Sequence, residues 1–320
     1  MNQNRSVRKR NLSDELRELK RRLSPGSEHV RGWPLDERIA ELRRVLELVP
    51  SNAAELLKYF PLAAVATLES YFRGVVAAVI DNSDEFRERG LQLVGDRSLR
   101  ASEAIQIVHS EIATPGQLVA HLLPCSSVRH LEEPLGVILG FDIKSRIKDA
   151  FPHFANRLGM EGAQPIVDDV SELWSRLVRL FELRHILAHE APDNFEVTFD
   201  QAEDSVDTVD RYMQSMDAVL WGSVWKDVPV THREMTDNAW REMCDARKKL
   251  ANLLRKLRCC GRLNVRLHLI WKRYFVSYTR GLAEGQMGSI RNLVYFSVAA
   301  DMIQDRIKQL EPSLEDGYIG

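Results

Sequence analysis

One short stretch of this sequence combines residue types that can act on a phosphodiester. Arg184 and His189 stand five residues apart near the end of an apolar helical run, and His185 lies between them. An arginine is a permanent cation suited to phosphate, and a histidine can exchange a proton near neutral pH. Together these side chains provide the minimum needed to cleave a phosphodiester without a metal ion.

The same residues also have ordinary structural explanations. An arginine near a helix end is commonly solvated or salt-bridged, and a late histidine complements the helix dipole. On an ideal α-helix Arg184 and His189 are about 140° apart, so they reach one phosphate more easily if the helix ends or bends there, or if two chains meet. Pro192 is a helix-stop signal three residues after His189.

A histidine pair four residues apart is a possible start of a zinc site. His185 and His189 share a helix face, but the neighbouring sequence does not complete a set of ligands. We therefore expect no metal and no cofactor.

The string R-x-x-x-x-H with a polar residue after the arginine resembles the signature of HEPN domains. This all-helical family includes many bacterial toxin and phage-defence ribonucleases. A second segment, 61–73, is an apolar helix interrupted by Glu69 and continued by the aromatic pair Tyr71-Phe72. It resembles the first long helix of HEPN domains, which packs beside the motif helix and whose acid can lie near the motif arginine. The resemblance covers about 51–220.

This resemblance implies a metal-independent endoribonuclease of the toxin or phage-defence kind. In that interpretation Arg184 binds the scissile phosphate, and His189 is the general base or acid for attack by the 2′-hydroxyl. His185 and Glu69 orient or tune these groups, although a salt bridge to a basic residue is the structural alternative for Glu69. The expected products are a 2′,3′-cyclic phosphate and a 5′-hydroxyl.

The same resemblance also bears on partners. HEPN domains generally dimerise with their motif helices facing each other, so a homodimer with a composite site is expected, besides the RNA substrate and a possible antitoxin or regulatory protein. The alternative is a non-catalytic HEPN module that senses a nucleotide or binds a protein. A purely structural helical adaptor is a third interpretation.

Composition favours a folded protein of the cytoplasm. The sequence is 44% hydrophobic and 28% charged, which is typical of a globular chain. We expect no membrane span, because no apolar run approaches about 20 residues, and the N-terminus lacks the apolar core of a signal peptide. The four cysteines show no C-x-x-C spacing, and adjacent Cys259 and Cys260 suit a reducing compartment.

Charge is distributed unevenly along the chain. Residues 1–50 carry 12 basic and 8 acidic side chains, residues 51–230 carry 16 and 28, and residues 231–320 carry 16 and 10. The net charges of the three segments are therefore +4, −12 and +6. An acidic surface repels RNA, so capture of a substrate should depend on local cations or on the basic C-terminal part.

Helix signals dominate the sequence and strand signals are nearly absent, so we predict an all-α fold. The long apolar helix is expected over 53–80, the motif helix over 167–189 and a closing helix over 198–220. The predicted organisation is charged N-terminal helices in 1–50, a HEPN-like bundle in 51–222 and a smaller basic helical domain in 231–311.

The C-terminal domain is predicted to contain one helical stretch that runs to about Arg280, with Gly261 inside it. Its helical spacing predicts an apolar seam and a second, similar stripe, and we expect Trp240 and Trp271 to belong to the core. The seam is formed by Leu250, Leu253, Leu254 and Leu257, and the stripe by Leu267, Ile270, Tyr274 and Tyr278.

This domain has a resemblance of its own. The run Trp271-Lys272-Arg273-Tyr274, followed by Gly288-Ser289-Ile290 and a closing helix to Leu310, is similar to the helical domain of LprI-type lysozyme inhibitors. The paired cysteines of that family are missing, and Thr279 and Ser297 fall close to where they would lie. This departure suits a reducing compartment and speaks against inhibition of a periplasmic lysozyme.

The basic residues of this domain allow two interpretations. They are either a solvated coating over an apolar seam, or an RNA-binding arm in which Trp271 or Tyr274 stacks on bases. The candidate RNA-binding cations are Lys248, Lys249, Arg255, Arg258, Lys272 and Arg273.

Overall fold

All regular structure in the described part of the chain is helical, which confirms the predicted all-α class. The chain divides into two compact units, Met1–Lys226 and Asp227–Gly320. The computed structural model describes residues 12–22, 33–50, 53–94, 106–110, 112–152, 155, 160, 162–190, 195–284 and 290–315.

The first unit is a bundle around one long helix. Its helices are α1 (Leu12–Arg22), α2 (Trp33–Glu47), α3 (Ala54–Leu57), α4 (Tyr59–Asn82), α5 (Asp84–Val94), α6 (Pro115–Leu122), α7 (Val128–Leu139), α8 (Ile143–Lys148), α9 (Val170–His185) and α10 (Phe199–Ser223). A π-helical segment, Ile186–Glu190, continues directly from α9.

Helix α4 is the centre of this bundle because it is apolar around most of its circumference. Its residues Val75, Val76, Val79 and Ile80 are fully buried, and α2, α5, α6, α9 and α10 all pack against it. A helix that is hydrophobic on nearly every side is stable only when neighbours cover all of those sides. The apolar sequence of α4 therefore places this helix in the core, and the other helices pack around it.

One stretch that includes α4, Ala54–Asn82, is long enough and apolar enough to cross a membrane if length and composition alone are considered. This finding corrects the expectation that no segment approaches that length. Of its most apolar window, 61% is buried within the structure. The core helix of a globular unit passes the same test of length and composition.

Helices α4 and α6 approach each other closely at Gly116. The backbone N–H of Gly116 donates to Asp81 Oδ1 at 2.9 Å, and the Thr114 hydroxyl donates to Asp81 Oδ2 at 2.5 Å. A Cβ atom added at Gly116 would overlap the carbonyl oxygen of Ala77 and lie 2.8 Å from Cγ of Asp81. Only glycine fits at this crossing, because any side chain would meet the backbone of α4.

The described residues of the second unit form three long helices and a short one: α11 (His232–Cys259), α12 (Val265–Glu284), α13 (Ile290–Leu310) and α14 (Pro312–Glu315). Helices α11 and α13 pack along each other, and α12 packs on α13. The core is small, with Met243, Ala299 and Ile303 at its centre.

The single helical stretch predicted as far as Arg280 is wrong, because the chain leaves the helix after Cys259. Gly261 has a left-handed φ of 68°, and the backbone N–H of Arg262 donates to the carbonyl of Leu257 at 2.9 Å. This is the glycine-dependent helix ending in which a bond from two residues past the cap satisfies a terminal carbonyl. Gly261 therefore ends α11 and lets α12 start in a new direction.

The predicted apolar seam on α11 is confirmed, since Leu250, Leu253 and Leu257 are buried and Leu254 is half-buried. The expected core position of Trp240 is wrong, whereas Trp271 is half-buried. Trp240 is 47% exposed, although its ring meets the edge of Phe296 at 5.1 Å between centroids. The stripe on α12 faces solvent, and its four members are Leu267, Ile270, Tyr274 and Tyr278.

Candidate active site

Helix α9 positions the motif residues through its cap and its buried face. The side chain of Asp169 accepts hydrogen bonds from the backbone N–H groups of Ser171 and Glu172, which defines the start of the helix. Leu173, Leu177 and their neighbours then bury one face against the bundle. The last turn of α9 is therefore held at the surface of the first unit.

The Arg184 and His189 side chains meet, although an ideal α-helix would separate them. The chain changes from α- to π-helical hydrogen bonding over Ile186–Glu190. Each turn of a π-helix takes in more residues than an α-turn, so residues five apart return to nearly the same face. Nη1 of Arg184 lies 3.4 Å from Nε2 of His189, so the bend that this pair requires is a π-helical turn.

This contact has hydrogen-bond character in one tautomer of the imidazole. A guanidinium can only donate hydrogen bonds, so Nε2 of His189 accepts from Arg184 when it is the unprotonated nitrogen of a neutral ring. An unprotonated imidazole nitrogen beside a permanent cation is the arrangement that a general base next to a bound phosphate requires. His189 is exposed, so the nitrogen is open to a ligand from solvent.

Glu69 lies on the other side of the arginine. Its Oε1 is 3.8 Å from Nη2 of Arg184, and the two side chains are 25% and 30% exposed. This ion pair joins α4 to α9 and restricts the arginine to one side of the motif helix. At partial exposure such a pair contributes little stability, and its value lies in orientation.

His185 adjoins His189 in the cluster. Its ring centroid is 5.1 Å from that of His189, and its side chain is exposed. The four residues named from the sequence, Arg184, His189, His185 and Glu69, thus lie in one cluster. Pro192, predicted to stop the helix, lies outside the described residues.

A layer behind this cluster was not predicted from the sequence. Arg73, one turn after Glu69 on α4, donates to the carbonyl oxygens of Ala120 and His121 at 3.1 Å each, and to Sγ of Cys125 at 3.3 Å. These bonds tie α4 to the end of α6. The spacing of Glu69 and Arg73 on one helix face is the only sequence signal that could have identified it.

The Cys125 thiol adjoins this layer but remains protonated. Burial raises the pKa of Cys125; Arg73 opposes that shift, while the Glu69 carboxylate adds to it. Since the thiolate is the reactive form, we expect Cys125 to be alkylated more slowly by iodoacetamide near pH 8 than the exposed Cys259 and Cys260. Mass spectrometry of peptides over time measures the order of labelling. Labelling of Cys125 first would contradict this assignment.

The six cations predicted to bind RNA are all exposed on the second unit: Lys248, Lys249, Arg255, Arg258, Lys272 and Arg273. Nζ of Lys248 pairs with Asp245 at 3.0 Å. By helix periodicity, Lys249 and Arg258 lie about 180° apart around α11. The four cations on α11 therefore spread around its solvent side and do not gather at one point.

Within the described residues no group of three or more histidine, cysteine, aspartate or glutamate side chains lies together in a way that could hold a metal ion. The chemistry of the cluster is thus defined by one guanidinium, two imidazoles and one carboxylate. Comparisons of this chain with family models, with curated proteins and with solved structures find no match.

Proposed function

We propose that this protein is a metal-independent endoribonuclease of the HEPN type, acting in the cytoplasm as a toxin or phage-defence effector. The observation that carries the proposal is the 3.4 Å contact between Arg184 and His189 across the π-helical turn. A permanent cation and a proton-accepting nitrogen on one exposed spot suit a phosphodiester. The pairing of α4 and α9 through Glu69 agrees with the expected packing of a HEPN-like bundle.

The reaction assigned to this cluster is an internal transesterification. Nε2 of His189 accepts the proton of a ribose 2′-hydroxyl, whose oxygen attacks phosphorus while the bond to the 5′-oxygen breaks. The departing 5′-oxygen takes up a proton from a second proton-transfer group or from water, and the products are a 2′,3′-cyclic phosphate and a 5′-hydroxyl. Arg184 neutralises charge that develops on the phosphoryl oxygens. His185 and Glu69 orient these two groups.

The decisive assay is incubation of the protein with total cellular RNA in the presence of EDTA. We expect cleavage at the same rate with and without the chelator, because every group in the mechanism belongs to the chain. The products should carry a 2′,3′-cyclic phosphate, detected as 3′ ends that a phosphatase removes only after mild acid has opened the ring. Loss of cleavage in EDTA, restored by a divalent metal, would contradict the proposal.

The proposal includes a homodimer. His185 and His189 lie side by side on one helix, so a facing motif helix from a second copy would supply the proton-transfer group on the other side of the phosphorus. The exposed side of α9, with Glu182, His185 and Val178, is available for that contact. We expect light scattering to give twice the monomer mass. A strict monomer that still cleaves RNA would remove the composite site from the mechanism.

Substrate capture is assigned to the second unit, because the segment that holds the cluster is strongly acidic. We expect RNA affinity to fall when four of the cations are neutralised. The slope of the logarithm of the binding constant against the logarithm of the salt concentration should become shallower by about three, because each contact with single-stranded RNA releases roughly 0.7 of a counterion. Filter binding across a salt series measures both quantities. The four substitutions are Lys248→Gln, Lys249→Gln, Arg255→Gln and Arg258→Gln.

The matched control removes the same total charge from the first unit, at exposed arginines that already pair with an acid. It should leave the salt slope unchanged. If both sets of substitutions alter the slope equally, the second unit is not an RNA arm. The control substitutions are Arg17→Gln, Arg129→Gln, Arg179→Gln and Arg211→Gln.

The alternative is a non-catalytic HEPN module that senses a nucleotide or binds a protein. The observation that favours protein binding is the exposed apolar surface of α12 in the second unit. A rise in melting temperature with nucleotides, without decay of RNA, would support the sensor.

A further inference from the structure

Helix α12 exposes more apolar surface than a solvent-facing helix of a globular domain usually does. Leu267, Ile270, Tyr274 and Tyr278 are 56%, 55%, 57% and 43% exposed. The buried side of α12 is formed by Phe275 and Thr279, with Trp271 half-buried beside them. A helix that is apolar on several sides requires cover, and contiguous exposed apolar patches mark interaction sites.

The exposed apolar residues are spaced so that another helix could pack against them. Leu267, Ile270 and Tyr274 stand at spacings of three and four, as the a and d positions of a heptad do, and Tyr278 extends the line. Tyr274 and Tyr278 stack with 5.5 Å between ring centroids. The stripe is about 16 Å long at 1.5 Å per residue, which corresponds to three turns of a helix.

Arginines accompany the stripe at the same period. Arg266, Arg273 and Arg280 are seven residues apart, so each takes the heptad position just before the apolar a position. In helix pairs that position forms ion pairs with the facing helix and selects the partner. All three are exposed, and none forms an ion pair within the described part of the chain.

The charge of α12 identifies the kind of partner. The helix carries Arg266, Lys272, Arg273 and Arg280 against Glu284, a net of +3. An antiparallel second copy would place arginine opposite arginine, which is unfavourable. RNA would satisfy the arginines but would leave Leu267 and Ile270 exposed. An acidic amphipathic helix satisfies both the charges and the apolar stripe.

We propose that the exposed face of α12, formed by Leu267, Ile270, Tyr274 and Tyr278 with Arg266, Arg273 and Arg280, binds an acidic amphipathic helix of a partner protein. The partner's apolar residues cover the stripe, and its carboxylates pair with the three arginines. This site is independent of the ribonuclease proposal and stands or falls separately. In this arrangement Arg273, one of the predicted RNA contacts, pairs with a carboxylate of the partner protein instead.

The test uses the full-length chain and a fluorescein-labelled peptide of three heptads, with leucine at a and d and glutamate at e and g. We expect saturable binding by fluorescence anisotropy. The charge-reversal variant Arg266→Glu, Arg273→Glu, Arg280→Glu should bind this peptide at least about tenfold more weakly, since three ion pairs are lost. A peptide with lysine in place of glutamate should bind the variant and not the parent chain.

A matched control reverses three exposed arginines on α11, with Arg247→Glu, Arg255→Glu and Arg258→Glu, and should retain the affinity of the parent chain. Circular dichroism of each variant confirms the helical fold. A peptide with serine at a and d should not bind. If the serine peptide binds, or if the α11 control loses as much affinity as the α12 variant, binding depends only on net charge and the proposal is overturned.

Two further outcomes would assign the face to another occupant. If sedimentation shows that the α12 reversal converts a dimer to a monomer, the occupant is a second copy of this chain. If a single-stranded RNA oligonucleotide displaces the peptide and its own binding is lost on Tyr274→Ala, the face binds nucleic acid. Either result, like an absence of peptide binding, overturns the proposal.

Discussion

Replacing Arg184 or His189 with alanine is expected to lower the rate of RNA cleavage by roughly a hundredfold or more, the usual effect of losing a general base or a charge-stabilising donor. Both side chains lie at the solvent side of the helix end, so the free energy of unfolding should change by less than about 1 kcal/mol. Initial rates at saturating RNA, together with urea unfolding curves, separate chemistry from stability.

The control is Arg179→Ala, which removes an exposed arginine from the same helix. Arg179 pairs with Glu172 at 2.9 Å and is not part of the cluster. Its cleavage rate should match that of the parent chain. Parental rates in Arg184→Ala or His189→Ala would remove these residues from the mechanism. Glu69→Gln, which keeps the shape but weakens the ion pair with Arg184, should have a smaller effect than either.

Gly116→Ala is expected to be strongly destabilising for its size. The added methyl group would overlap the backbone of α4 at Ala77 and crowd Asp81, so the two helices must separate. Forced overpacking of this kind costs about 1–3 kcal/mol. The midpoint of urea unfolding should fall accordingly, and the cleavage rate should fall too, because α6 supplies the carbonyl oxygens that hold Arg73 behind the cluster.

The matched substitution is Gly222→Ala near the end of α10, where a Cβ atom meets nothing within 4 Å. Alanine favours the helix over glycine by up to about 1 kcal/mol, so this variant should be as stable as the parent chain or more so. Equal destabilisation by both changes would show that the α4–α6 crossing is not the reason for the effect at Gly116.

The sequence was a good guide where a single physical signal dominated. The long apolar helix was predicted over 53–80, and α3 with α4 occupies Ala54–Asn82. The closing helix was predicted over 198–220 and is found at Phe199–Ser223, where Thr198 and Gln201 form a capping box. Local periodicity and caps define such elements before any tertiary contact forms.

The sequence was a poor guide where tertiary contacts decide between two local structures. The sequence predicts Gly261 inside a helix, but in the structure it ends α11 with a positive φ. The stripe on α12 and the buried seam on α11 both follow helical spacing, and periodicity alone cannot say which of the two is covered by another helix. Arg73 carried no motif, so its bonds to α6 could be found only from the packing of α4.

The π-helical turn at Ile186–Glu190 also makes this site sensitive to helix register. A π-turn holds one residue more than an α-turn, so a change between them shifts the residues that follow by one helix position. Returning this segment to α-helical bonding would swing His189 around the axis and away from Arg184. A ligand that contacts both side chains binds the π-helical state more tightly than the α-helical state, and this difference in affinity shifts the equilibrium toward the π-helical state. The conformation of the helix backbone therefore contributes to substrate selection.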